Sequence, residues 1–119
     1  MLIQILKSKL KQVIVTDANV EYEGSITLDK ILMDTAGIRP YEYVHINSVD
    51  GKHRIESYAI PAPAGSGRVE MNGGAANFFK PGDRVHVNCW AFVDDKEAYE
   101  VSFPVVVYTD ENNRIKNVG

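Results

Sequence analysis

The sequence predicts a mainly β protein, a small barrel of six to seven strands with one or two short helices, folded as a single domain over residues 1–119. Apolar residues fall in short runs rich in Val, Ile and Tyr. Gly, Pro, Asp and Asn punctuate those runs at regular intervals, as turns between strands require. Only one stretch carries helix-capping residues at both ends. No internal repeat divides the chain, and its length suits one core.

Leu2 to Leu6 and Val13 to Thr16 read as the first strands, and Glu21 to Leu28 as the third. Asp29 is then placed to cap a helix that runs to Ala36, with Gly37 ending it and Ile31, Leu32 and Thr35 as its inner face. Tyr43 to Ser48 and Arg54 to Ile60 form a hairpin around Asp50-Gly51. The Pro- and Gly-rich stretch from Pro61 to Gly67 is a loop. Gly74 to Asn77 reads as a single helical turn whose backbone N–H groups face a ligand. Lys80-Pro81-Gly82-Asp83 is a tight turn into a strand from Arg84 to Phe92, and Asp94-Asp95-Lys96 is a polar loop. A last strand spans Val101 to Tyr108, and the polar residues 110–119 are expected to fray.

Composition excludes several function classes. Hydrophobic content of 45% with 24% charged residues is that of an ordinary globular protein. Net charge is −3, and the 13 basic residues form no cluster beyond Lys7, Lys9 and Lys11, which argues against nucleic acid. No apolar run approaches the roughly 18 residues of a membrane span. The opening Met1 to Lys7 is too short for a signal core, so the cytoplasm is the expected location. The lone Cys89 allows no internal disulfide and is expected to be buried and inert among Val85, Val87 and Phe92. His45, His53 and His86 lack metal-ligand spacing, and no metal is expected.

The Gly24-Ser25 bond is the most informative place in the chain. Glycine leaves the peptide carbonyl unshielded, and the serine hydroxyl lies one residue away. Attack of that hydroxyl on the Gly24 carbonyl converts amide to ester. Loss of the Ser25 α-proton then eliminates the ester, and hydrolysis of the resulting dehydroalanine leaves a pyruvoyl group at a new N-terminus. A Gly-Ser pair by itself is common and reads as a turn or strand start.

Four segments give it weight: Lys7-Ser8-Lys9-Leu10, Tyr22-Glu23-Gly24-Ser25, Arg54-Ile55-Glu56-Ser57-Tyr58-Ala59-Ile60, and Val69-Glu70-Met71-Asn72-Gly73-Gly74-Ala75-Ala76. In order and spacing they resemble the bacterial aspartate 1-decarboxylases, pyruvoyl enzymes of pantothenate synthesis, from the start of the chain to about Pro104. The resemblance implies a double-psi β-barrel, a homotetramer, and self-cleavage into residues 1–24 and 25–119. It implies decarboxylation of L-aspartate to β-alanine and CO2, and an accessory maturation protein is a further implied partner.

Decarboxylation leaves a carbanion, which needs an electron sink that side chains do not supply. The resemblance assigns that sink to a covalent pyruvoyl group made from Ser25, and no lysine sits in a pyridoxal-phosphate context. Tyr58 matches the family's proton donor, and a tyrosine with pKa near about 10 is protonated at neutral pH. Arg54 is the choice for the retained carboxylate, because guanidinium binds it through two parallel hydrogen bonds. Lys9 matches a family active-site residue that holds a carboxylate or assists maturation. Ser57 stands where the family commonly has threonine, keeping the hydroxyl for the Gly24 carbonyl or for substrate. Gly73, Gly74 and Ala75 would bind substrate through backbone N–H groups, with Gly74 where the family more often has alanine. Asn72 is expected to polarise the scissile carbonyl, and Tyr22 flanks the cleavage site. Two other readings stay open on sequence alone: a binding module that keeps the bond intact, and a pyruvoyl decarboxylase acting on glutamate.

Overall fold

The first strand is more than twice as long as the sequence suggests. In the computed structural model, which describes residues 1–119, Leu2–Ile14 form one strand, β1. Its two apolar pieces are joined through two irregularities in pairing, one between Leu6 and Ser8 and one between Leu10 and Val13. Such bulges shift the alternation of side chains, which is why a period-two reading breaks the strand in two. Gln12, at φ 61°, marks the second.

The remaining elements are β2 (Asp17–Asn19), β3 (Ser25–Asp29), α1 (Lys30–Ala36), β4 (Tyr43–Ser48), β5 (Arg54–Ala62), β6 (Val69–Asn72), β7 (Arg84–Asp94), β8 (Val105–Thr109) and β9 (Ile115–Val118). Short 3₁₀ turns cover Gly73–Asn77 and Glu97–Tyr99. Strand order in the sheet is β2-β6-β3-β5-β4-β7-β1-β8-β9. The count is nine rather than six or seven, because β2, β6 and β9 are only three or four residues long. Runs that short carry no readable periodicity.

Sequence-distant strands meet on one core. Leu10, Ile26, Leu28, Val44, Ile46, Val69, Met71, Val85, Val87 and Val107 are fully enclosed in a single cluster. The sheet therefore curls so that β6 and β8 face a common interior. Just past the end of β1, Thr16 donates its backbone N–H to the Val69 carbonyl at 2.8 Å, tying that strand to β6. Cys89 lies in this interior, while Phe92, expected beside it, is exposed because strand alternation puts it on the face opposite Val85, Val87 and Cys89.

Helix α1 is capped as expected, with Asp29 accepting from the Ile31 N–H and Gly37 left-handed at its end. Its inner face is Leu32, Met33 and Ala36 instead. Ile31 is exposed, and the Thr35 hydroxyl is turned back onto the Ile31 carbonyl at 2.7 Å. The C-terminal residues are not frayed. Buried Asn113 donates to the carbonyls of Ile14 and Gly67 and accepts from the Ile14 N–H, fixing the turn into β9.

Candidate active site

Strand β3 begins at Ser25, directly after the glycine, and all five of its residues are buried. Ile26 and Leu28 point into the core, so Ser25 and Thr27 share the opposite face. On one side β6 runs antiparallel, with Asn72 opposite Ser25 and Glu70 opposite Thr27. On the other, β5 runs parallel with Ala59 paired to Ile26, which brings Tyr58 alongside Ser25. Three strands thus gather Ser25, Asn72 and Tyr58 from sequence positions far apart.

The Asn72 side-chain amide donates to the Ser25 hydroxyl and to the Thr27 hydroxyl, both at 2.9 Å. It holds the Ser25 hydroxyl, whereas the sequence reading put it on the Gly24 carbonyl. An amide that spends its N–H groups on two hydroxyls leaves the Ser25 proton free to point elsewhere.

Glycine is required at Gly73 more than at Gly24. Gly73 has φ +62°, and a side-chain carbon there would lie 2.8 Å from the Gly24 nitrogen and the Tyr22 carbonyl oxygen. The backbone from Tyr22 to Gly24 rests on that bare glycine. Around the Gly24 α-carbon itself there is open space, and the residue is exposed.

Two cavities meet at the Gly24-Ser25 bond. One, of about 440 Å³, is lined by Ser57, Tyr58, Asn72, Gly74 and Ala75 among others. The second, of about 360 Å³, is lined by Tyr22, Thr27, Tyr41, Tyr58, Glu70 and Asn72 among others. The Tyr41 ring lies 6.1 Å from that of Tyr58. Neither cavity contains a basic residue. Thr27, Tyr41 and Glu70 were not singled out in the sequence. Thr27 and Glu70 stand two residues from Ser25 and Asn72, so strand alternation alone would have placed them on this face.

Arg54 and Lys9 lie elsewhere in the chain. Arg54 faces a separate cavity of about 550 Å³ with His45, Asn47, Glu56, Asn88 and Trp90. Lys9 stands opposite Asn88, which is opposite His45, which is opposite Glu56, one row crossing four strands. The buried Asn88 Oδ1 and Trp90 Nε1 on this face have no hydrogen-bond partner within the chain. No group of three or more His, Cys, Asp or Glu side chains is arranged to hold a metal. Cys89 donates to Glu42 at 2.8 Å, and burial together with that carboxylate pushes its thiol up to about 12, so it is no nucleophile.

A model of the aspartate decarboxylase family matches residues 1–116. The chain belongs to that family. It is 40% identical to an aspartate 1-decarboxylase of Carboxydothermus hydrogenoformans, over 99% of this chain and 92% of the relative. It is 41% identical to one of Leptospira biflexa, over 98% of each chain. With one of Alkalilimnicola ehrlichii it shares 44% identity over 97% of this chain and 90% of the relative. No helix is long and apolar enough to cross a membrane.

Proposed function

We propose that this chain is a pyruvoyl-dependent L-aspartate 1-decarboxylase that matures by cutting itself between Gly24 and Ser25. The observation that carries the reading is the Ser25 hydroxyl, buried at the start of β3 and held by Asn72 at 2.9 Å. A hydroxyl fixed next to an unshielded carbonyl has little orientational freedom left to lose before attack. Asn72, Gly73 and Tyr22 position the bond, and Ser57 reaches the same cavity from β5.

The residues present fit a pyruvoyl group at position 25. Ser25 would open a new chain terminus on a cavity lined by the small residues Gly74 and Ala75. Once formed, that group supplies the electron sink for loss of CO2. Gly73, Gly74 and Ala75 present backbone N–H groups to substrate, and the Tyr58 phenol delivers the proton that replaces the departing carboxylate. The product is β-alanine, the precursor used in pantothenate synthesis.

A substrate with two carboxylates needs cations, and the cavities beside Ser25 have none. Arg54 and Lys9 are therefore read as serving the site of an adjoining chain. The unpartnered Asn88 and Trp90 groups on their face support this, since buried polar atoms are normally satisfied. A homotetramer of double-psi β-barrels in the cytoplasm, matured with or without an accessory protein, completes the proposal.

Incubating purified protein with L-aspartate and, separately, L-glutamate tests the activity. The account expects β-alanine and CO2 from aspartate and no amine product from glutamate. γ-Aminobutyrate as the main product would redirect the substrate assignment, and no product from either would refute it.

A further inference from the structure

We propose that Glu70 is the proton carrier of self-cleavage, taking the proton from the Ser25 hydroxyl as it attacks and returning it to the Ser25 nitrogen as the peptide bond breaks. The inference rests on the self-cleavage reading above. In the step, the Ser25 O–H bond breaks and its proton passes to the Glu70 carboxylate while Oγ bonds to the Gly24 carbonyl carbon. The C–N bond then breaks, and the nitrogen's electron pair takes the proton back from the Glu70 carboxyl. The products are an ester and a free amine, with Glu70 restored as carboxylate and no outside reactant consumed.

Glu70 and Asn72 are alternate residues of β6, so they face the same side as Ser25 and Thr27. Glu70 is the diagonal neighbour of Ser25 across the β3–β6 pair, a separation of roughly 7–8 Å that long side chains span. Both line the 360 Å³ cavity, many times the volume of roughly 30 Å³ that one water takes up. One water can therefore close the gap.

The other titratable groups beside the bond suit the task less well. Glu56 is 69% exposed, whereas Glu70 is 17% exposed. Glu23 is exposed, and the tyrosine phenols are acids, not bases, at neutral pH. The groups facing Glu70 are Arg68 just before its strand, with Nε at 3.3 Å, Asp17 opposite it on β2, and Thr27 opposite it on β3. Glu23, Tyr22, Tyr41 and Tyr58 share its cavity. Burial pushes its carboxyl up, Arg68 pulls it down and Asp17 pushes it up again, leaving it above the ordinary glutamate value. A carboxylate so placed accepts a proton more readily than a solvated one.

The test follows cleavage of freshly synthesised chain by denaturing electrophoresis across the acid-to-neutral range, with Tm measured alongside. Wild-type cleavage should slow as pH falls through the Glu70 pKa, because the carboxylate is the active form. Glu70→Gln should cleave roughly 10²-fold more slowly and lose that acid limb, while Glu70→Asp should recover part of the rate with the limb present. Glu70→Gln cleaving at the wild-type rate with the wild-type pH profile would overturn the proposal. So would a slow Glu70→Gln that keeps the acid limb, which would mark a merely structural role. If Glu70→Gln does not fold, the Glu70→Asp profile decides: an acid limb unmoved from wild type overturns the assignment. Failure of the wild-type chain to cleave at all would instead sink the self-cleavage reading and the inference with it.

Discussion

The two ends of β3 each bury a polar side chain, and they spend it in opposite ways. At one end Asp29 accepts backbone N–H groups from Ile31, Gly65 and Gly67, all at 2.9 Å. At the other, Ser25 is met by a side-chain amide and opens onto two cavities. Backbone donors fix a carboxylate for good, since they cannot rotate away, and that end is built for stability. A side-chain network with a free hydroxyl proton is built for change. The difference separates residues whose loss should unfold the chain from residues whose loss should only silence it.

Ser25→Ala sharpens that contrast most. It should remain a single uncut chain with no decarboxylase activity, read by denaturing electrophoresis and a β-alanine assay, while Tm stays near wild type. Two fragments from this variant would place the cleavage elsewhere.

Tyr58→Phe should cut normally yet turn over roughly 10²- to 10⁴-fold more slowly, the range for removing a general acid. Steady-state kinetics on the fully cleaved protein measures it. Near-normal turnover would require another proton donor.

Arg54→Lys keeps the charge and loses the two-pronged geometry. Once cleaved, it should lose roughly tenfold or more in kcat/KM for aspartate. Unchanged kcat/KM would move the carboxylate contact to Lys9.

The smallest effect on chemistry belongs to Asp29→Asn, which should still cleave but unfold more easily, by about 1–3 kcal/mol, from the loss of charge-assisted hydrogen bonds. Burial pushes the Asp29 carboxyl up, but the three backbone N–H groups and nearby Arg114 outweigh it and hold it below the usual value. A lowered carboxyl contributes stability above its unfolded pKa of about 3.9 and loses it as pH falls through the folded value. Acid titration of Tm should therefore show a steeper decline in wild type than in Asp29→Asn. A match between the two curves would remove Asp29 from the stabilising role.

Much of this was legible in the sequence. The caps of α1 were readable because Asp29 and Gly37 act through local backbone geometry. The sequence pointed to Gly24-Ser25, Tyr58 and Asn72 through the order of segments that resemble the family, and the pairing of β5 and β6 with β3 brings those positions together. Hidden were β6 and β2, whose few residues pair only with partners far along the chain. The continuity of β1 was hidden by its bulges. Glu70 escaped notice because it became part of the site only when β6 was laid beside β3. The separation of Arg54 and Lys9 from Ser25 was invisible too, as a motif fixes order along the chain and not which face of a sheet each residue ends on.

The central claim, that this chain makes its own catalytic group from Ser25, is tested most directly by the intact mass of the purified protein. The account predicts two chains, residues 1–24 ending in a free carboxylate and residues 25–119 lighter by one ammonia than the same fragment would be with serine at its terminus. The larger chain should carry a ketone in place of the amine and hydroxyl of Ser25. A single chain of 119 residues that decarboxylates aspartate at full rate would contradict it.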